Sequence, residues 1–171
     1  VLEKKFQSFI GRQPVPVVYG MTIGEYAMML MGENWLSEKA RQIHAYNIST
    51  NPTADTPFHV MVLKCKQYTH RTKYVLPVNP SPNLREMQSV YLYPSICFFE
   101  GTLISEGRGT DKPFQVVGHP ALPKNLYRFT PKPNEGAKKS KCFYEECYGW
   151  NLSAPIEKIL GELNGQLQLK W

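Results

Sequence analysis

The sequence predicts an α+β fold, a mixed sheet with flanking helices and long Pro-rich loops. Three observations carry this expectation. Short apolar runs at 58–63 and 113–118 alternate with stretches of helical periodicity such as 23–31. The 14 prolines fall between these segments and imply stiffly turned connections rather than a helical bundle. An apolar fraction of 42% in 171 residues is enough for one domain with a real core.

Taken in order, residues 1–20 read as an extended segment, because Pro14 and Pro16 forbid helix and Val15, Val17 and Val18 favour strand. Thr22-Ile23-Gly24-Glu25 is a capping box, with Ile23, Ala27, Leu30 and Met31 on one helical face. Gly32 and Asn34 can end that helix. Residues 35–46 form a weaker helix, and 47–57 a loop. Residues 58–63 are apolar on both faces and predict a central strand in which His59 is a hydrogen-bonded core residue. Residues 74–78 predict a short extended piece. Asn83 is placed to cap a short helix over 84–90, followed by an apolar, Pro-broken run over 91–99. Further strands are expected at 113–118, 127–130 and 147–152. A last helix, capped by Ser153 with Pro155 in its first turn, runs from 156 to the end at Trp171.

The net charge is +6 and the pI about 9.1, but the basic residues are scattered. The densest run, 132–141, with Lys138, Lys139 and Lys141, reads as a solvated loop. No nucleic-acid partner is expected, whereas a basic surface suits an anionic polymer such as a cell-wall glycan. No apolar run approaches the ~18 residues that a membrane-spanning helix needs. The chain starts at Val1 and reads as a processed or cut piece. Cys65 and Cys97 lie in apolar runs as expected core thiols, while Cys142 and Cys147 could close a hairpin disulfide in an oxidising compartment. His44, His59, His70 and His119 lack metal-ligand spacing, so no metal site is expected.

The candidate chemistry concentrates in residues 81–120. Glu100 ends the apolar run 97–99, where it can serve as a general acid or accept N–H groups from the turn that follows. Arg108 sits between Gly107 and Gly109. It can grip a carboxylate or phosphate with two hydrogen bonds, or tie the loop to Glu106 or Asp111. The segment lacks the P-loop Lys and the GxGxxG spacing, so no nucleotide or other cofactor is expected. Ser81, Asn83, Thr102, Ser105 and Thr110 supply neutral donors and acceptors, and Tyr91 and Tyr93 flat faces, a set that suits sugars but also builds ordinary turns.

Four segments together resemble a bacterial family. They are PVPVVYGMTIGEYA (14–27), SPN (81–83), YPSICFFEGTLISEGRGTDKPF (93–114) and GHP (118–120). The family is that of the NamZ-type exo-β-N-acetylmuramidases, formerly a domain of unknown function, which release terminal N-acetylmuramic acid from peptidoglycan fragments. The resemblance implies a longer protein with a Rossmann-like N-terminal domain, absent from this chain, that carries a catalytic Glu in a Glu-His-Gly segment. No Glu-His-Gly occurs here. Residues 1–171 are then expected to be a C-terminal, cleft-forming portion, with 1–121 as core and 122–171 as a wrapping loop plus terminal helix. Such a piece is expected to be inactive alone, to partner that Rossmann-like domain and a peptidoglycan-derived sugar, and to work in the periplasm or outside the cell.

Within that resemblance, residue chemistry suggests roles. Muramic acid carries a lactyl carboxylate that glucosamine lacks, so Arg108 is the natural discriminator. Glu100 serves as a supporting carboxylate or orients hydroxyls. Ser81, Asn83, Thr102, Ser105, Thr110 and Tyr93 line the sugar. A non-catalytic glycan-binding module and a scaffold with a purely structural Gly-Arg loop are the competing expectations.

Overall fold

A computed structural model of the chain describes residues 3–8, 11–40 and 61–164. It divides into two compact units, Val1–Lys73 and Tyr74–Trp171. The first unit holds a 3₁₀ turn, Lys4–Phe6, and helix α1, Ile23–Gly32. α1 starts where the sequence says it should. The Thr22 hydroxyl accepts from the Glu25 N–H at 3.2 Å, and the Glu25 carboxylate accepts from the Thr22 N–H at 2.8 Å. After Gly32 the chain turns through Asn34 in the left-handed region, as its side chain tolerates.

The second unit carries helices α2, Met87–Ile96, and α3, Ile156–Leu163, with strands β1, Val116–His119, β2, Tyr127–Phe129, and β3, Cys147–Asn151. The strand order is β1-β3-β2. Val117 pairs with Trp150 and Arg128 with Tyr148. Each helix places an i, i+4 pair in the core: Leu92 and Ile96 from α2, Ile159 and Leu163 from α3. Phe114 and Val117 complete that cluster. Full burial of side chains of this size stabilises the unit by roughly 1.5–3 kcal/mol each.

The α+β class holds, with differences of detail. Both strand pairings among the described residues are antiparallel, so the sheet is not mixed. Residues 61–63 are neither strand nor buried, with Leu63 82% exposed, and the rest of the expected central strand, with His59, lies outside the described residues. His44, the 47–57 loop and residues 41–46 of the expected 35–46 helix lie outside them too. α2 starts three residues later than expected and runs through Pro94 to Ile96. Apolar burial of Leu92 and Ile96 outweighs the hydrogen bond that proline removes. Asn83 does not cap it: Glu86 is the cap residue, and the Asn83 side-chain amide donates to the Gly136 carbonyl at 2.7 Å. Ser153 does not cap α3 either. Its hydroxyl bonds Asn151 at 2.6 Å, and Pro155 is the cap residue. α3 ends at Leu163 on a left-handed Asn164, and residues 165–171 of the expected helix lie outside the described residues. Cys65, expected in a core, is exposed.

Candidate functional site

The site forms where α2 passes into the Cys97–Gly101 3₁₀ turn and the chain returns through residues 105–110. The return is a tight loop. Gly107 and Gly109 have φ of +81° and +83°, which disfavours any side chain. A Cβ on Gly107 would meet the Lys112 carbonyl at 2.8 Å, and one on Gly109 the Lys132 carbonyl at 2.8 Å. The glycines therefore present Arg108 on a backbone locked from both sides. Phe114 N–H closes the loop onto the Glu106 carbonyl at 2.8 Å.

Arg108 Nη2 donates to Glu100 Oε2 at 2.9 Å, and Arg108 Nε lies 3.6 Å from Glu106 Oε1. Its guanidinium carbon stands 5.2 Å from the centre of the Phe114 ring, a cation–π contact. Tyr93 meets the same ring edge-on at 4.9 Å. Burial, then the nearby Glu100 charge, push the Tyr93 phenol above its ordinary range, so it remains a hydrogen-bond donor at neutral pH. Glu100 Oε1 is buried and has no hydrogen-bond partner among the described residues. The Arg108 and Glu100 side chains keep 36% and 32% of their surface exposed. The arrangement offers a part-exposed guanidinium, a part-exposed carboxylate and a phenol, which suits a ligand carrying both a carboxylate and hydroxyls.

Of the residues singled out in the sequence, Tyr93, Glu100 and Arg108 therefore gather around Phe114. The others mostly serve the turns. The Ser81 hydroxyl accepts from the Asn83 N–H at 3.1 Å. The Thr102 hydroxyl donates to the Phe99 carbonyl at 2.8 Å, and that of Thr110 to the Gly107 carbonyl at 2.6 Å. Asn83 is buried, with its Nδ2 on Gly136. Ser105, expected along the sugar, is buried and pairs through its backbone with Gly118 at 2.8 and 3.0 Å. Sequence reasoning missed Lys141 and Phe114, and treated Glu106 only as a loop tie. Lys141, read as part of a solvated run, donates to Glu106 Oε2 at 2.8 Å and to the Phe99 and Ile104 carbonyls at 2.6 and 3.0 Å. No local pattern announces a contact between residues 35 positions apart.

A separate cleft of about 530 Å³ opens among Glu86, Asp111, Lys112, Gln115 and Ser153, and contains none of the expected site residues. Cys142 and Cys147 are both free thiols. Among the described residues no group of three metal-ligating side chains gathers, and no helix is long and apolar enough to cross a membrane.

Comparison with known proteins supplies the family. Residues 1–88 match the model described as exo-beta-N-acetylmuramidase NamZ, N-terminal, and residues 91–160 match its C-terminal counterpart. The chain belongs to the NamZ exo-β-N-acetylmuramidase family. The peptidoglycan beta-N-acetylmuramidase NamZ of Bacillus subtilis (strain 168) is 36% identical over 126 residues, which cover 71% of this chain and 26% of that protein. A crystal structure of a DUF1343 family protein from Bacteroides fragilis NCTC 9343 is 44% identical with a TM-score of 0.79, over 95% of this chain and 42% of that one. The chain thus spans about a quarter of the curated relative's length and less than half of the solved one's. The two NamZ models meet between residues 88 and 91, near the start of α2, so the chain carries residues that match the N-terminal model as well as the C-terminal one.

Proposed function

We propose that this chain is part of a peptidoglycan-degrading glycoside hydrolase that releases terminal N-acetylmuramic acid, and that it contributes the sugar-selecting wall of the cleft. The observation that carries the reading is the Glu100–Arg108 pair, held at 2.9 Å on a glycine-locked loop with both side chains about one-third exposed. A charge pair of that kind is a ready exchange site. An incoming lactyl carboxylate takes over guanidinium donors, and the Glu100 carboxylate turns to accept sugar hydroxyls. The Tyr93 phenol adds a donor beside them. The principal acid comes from a part of the full protein outside this chain, and the work is done in the periplasm or outside the cell.

The test is hydrolysis by the full-length protein of a chromogenic N-acetylmuramic acid glycoside, compared with its N-acetylglucosamine analogue. Arg108→Ala removes a charged hydrogen bond worth about 1.5–3 kcal/mol, which lowers kcat/KM on the muramic substrate about ten- to a hundredfold and leaves the glucosamine analogue little changed. Equal kcat/KM for wild type and variant on the muramic substrate would sink the assignment. The 3.6 Å approach of Arg108 to Glu106 favours a second reading, a loop-holding arginine in a non-catalytic glycan-binding or scaffold domain. Under that reading Arg108→Ala lowers stability and affects both glycosides alike.

A further inference from the structure

We propose that Lys141 is the positioning residue of the Arg108 guanidinium, acting as an electrostatic spacer that keeps Arg108 turned toward Glu100 and the outside. The proposal rests on the functional reading above for its activity arm only.

The reasoning starts from Glu106. Its side chain is 4% exposed, and a buried carboxylate without a partner is costly, so it draws in whatever cation can reach it. Two cations do. Lys141 holds Oε2 at 2.8 Å, and Arg108 Nε stands off Oε1 at 3.6 Å, beyond a good hydrogen bond. Lys141 is itself fixed. Its ammonium has three N–H donors and meets three acceptors, Phe99 O, Glu106 Oε2 and Ile104 O. The Phe99 carbonyl precedes Glu100 directly, so one ammonium pins both the turn that carries Glu100 and the carboxylate beneath Arg108. The four side chains form an alternating row, Lys141, Glu106, Arg108 and Glu100. With Lys141 satisfying Glu106, the guanidinium is free to give its Nη2 to Glu100 and to remain 36% exposed. Without it, Glu106 competes for the same guanidinium, and a planar fork is well shaped for a two-handed grip on that carboxylate. Arg108 then swings inward and away from a ligand.

The test pairs a charge deletion with its compensation in the full-length protein. Lys141→Met keeps the stem and removes the charge. It is expected to lower kcat/KM on the muramic glycoside about ten- to a hundredfold, mainly through KM, with a much smaller effect on the glucosamine analogue. The double variant Lys141→Met with Glu106→Gln removes the competing carboxylate charge as well and is expected to recover most of that loss. A lysine that only holds the fold gives no such recovery and affects both glycosides equally, and that result overturns the proposal. Lys141→Arg retains the charge but cannot meet three convergent acceptors with a planar group, so it falls between wild type and Lys141→Met. The second arm needs no turnover. Arg108 Nε–H exchange by NMR is expected to slow in Lys141→Met, as Glu106 captures that hydrogen, and to speed up again in the double variant. Unchanged exchange across the series overturns the spacer whether or not the glycosides are cleaved. Failure of wild type to cleave either glycoside instead rejects the functional reading and leaves this arm to decide.

Discussion

In the unit Val1–Lys73 no described residue is buried, while in Tyr74–Trp171 two helices and a sheet close over a core that includes Ile96 at 0% exposure. The two units hold their helices by different means. α1 stands on a reciprocal cap, and none of its residues is buried, with Ile23 82% exposed. α2 has no side-chain cap and contains a proline, yet it persists because Leu92 and Ile96 are sealed against Phe114 and Ile159. Local hydrogen bonding suffices to start a helix where tertiary burial is absent, and burial suffices to keep one where local signals argue against it.

Thiol chemistry should separate the two units most widely. Cys65, in the first unit, is exposed. Cys147 in β3 is buried, and burial followed by its neighbour Cys142 pushes its thiol up to about 12. At pH 8 only on the order of one part in ten thousand of such a thiol is thiolate, against roughly a quarter of an ordinary cysteine. A thiol-reactive probe followed by peptide mass spectrometry should therefore label the exposed Cys65 well before the buried Cys147. Comparable rates would mean that the sheet opens readily and that the contrast is overstated.

Core deletion gives the next largest effect. Ile96→Ala empties a fully buried site and is expected to cost about 2–5 kcal/mol in urea unfolding followed by a probe in the second unit. Ile23→Ala, at an exposed position of α1, is expected to stay within about 0.5 kcal/mol. Thr22→Ala, which removes the cap hydroxyl, is expected to cost about 1 kcal/mol and to act locally. Amide exchange should accelerate over residues 23–26 and remain unchanged over 92–96. Acceleration over both stretches would show that the two units share one cooperative unfolding step.

The same division governs what could be read from the chain alone. The cap of α1 is written within four consecutive residues, and it forms as read. The three short strands of the second unit were legible from apolar runs bounded by turn residues, to within a few positions. The end of α2 was not, because Pro94 outweighs any local reading and only the distant Phe114 and Ile159 reveal why the helix continues. The site followed the same rule. Glu100 and Arg108, eight residues apart on a Gly-marked loop, stood out and do meet. Their supports, Phe114 at a left-handed φ of 57° and Lys141, 35 residues beyond Glu106, left no local trace. Ser105 and Thr110 looked like ligand-binding hydroxyls for the reason that they make good turns, since the same donor and acceptor serve both uses.

The smallest expected effect concerns pH in the first unit. The backbone hydrogen bond from Thr22 N–H, and then the contact with His70 at 2.8 Å, hold the Glu25 carboxyl below its ordinary value of 4.5. A carboxylate whose folded value is depressed adds stability that is fully present above the unfolded value, and that stability is lost as pH falls through the folded one. The α1 cap should therefore be intact at pH 6 and loosen only below about pH 4.5, read from the Glu25 side-chain carbon and the Thr22 amide by NMR. Thr22→Ala keeps the backbone donor and should leave most of the depression in place, whereas His70→Ala removes only the second cause. Added salt should weaken the His70 contribution, since both side chains are about half exposed, and spare the hydrogen bond from the backbone. A wild-type midpoint at or above 4.5 would mean that the cap is not closed in solution. α1 would then lose the local support that distinguishes it from α2.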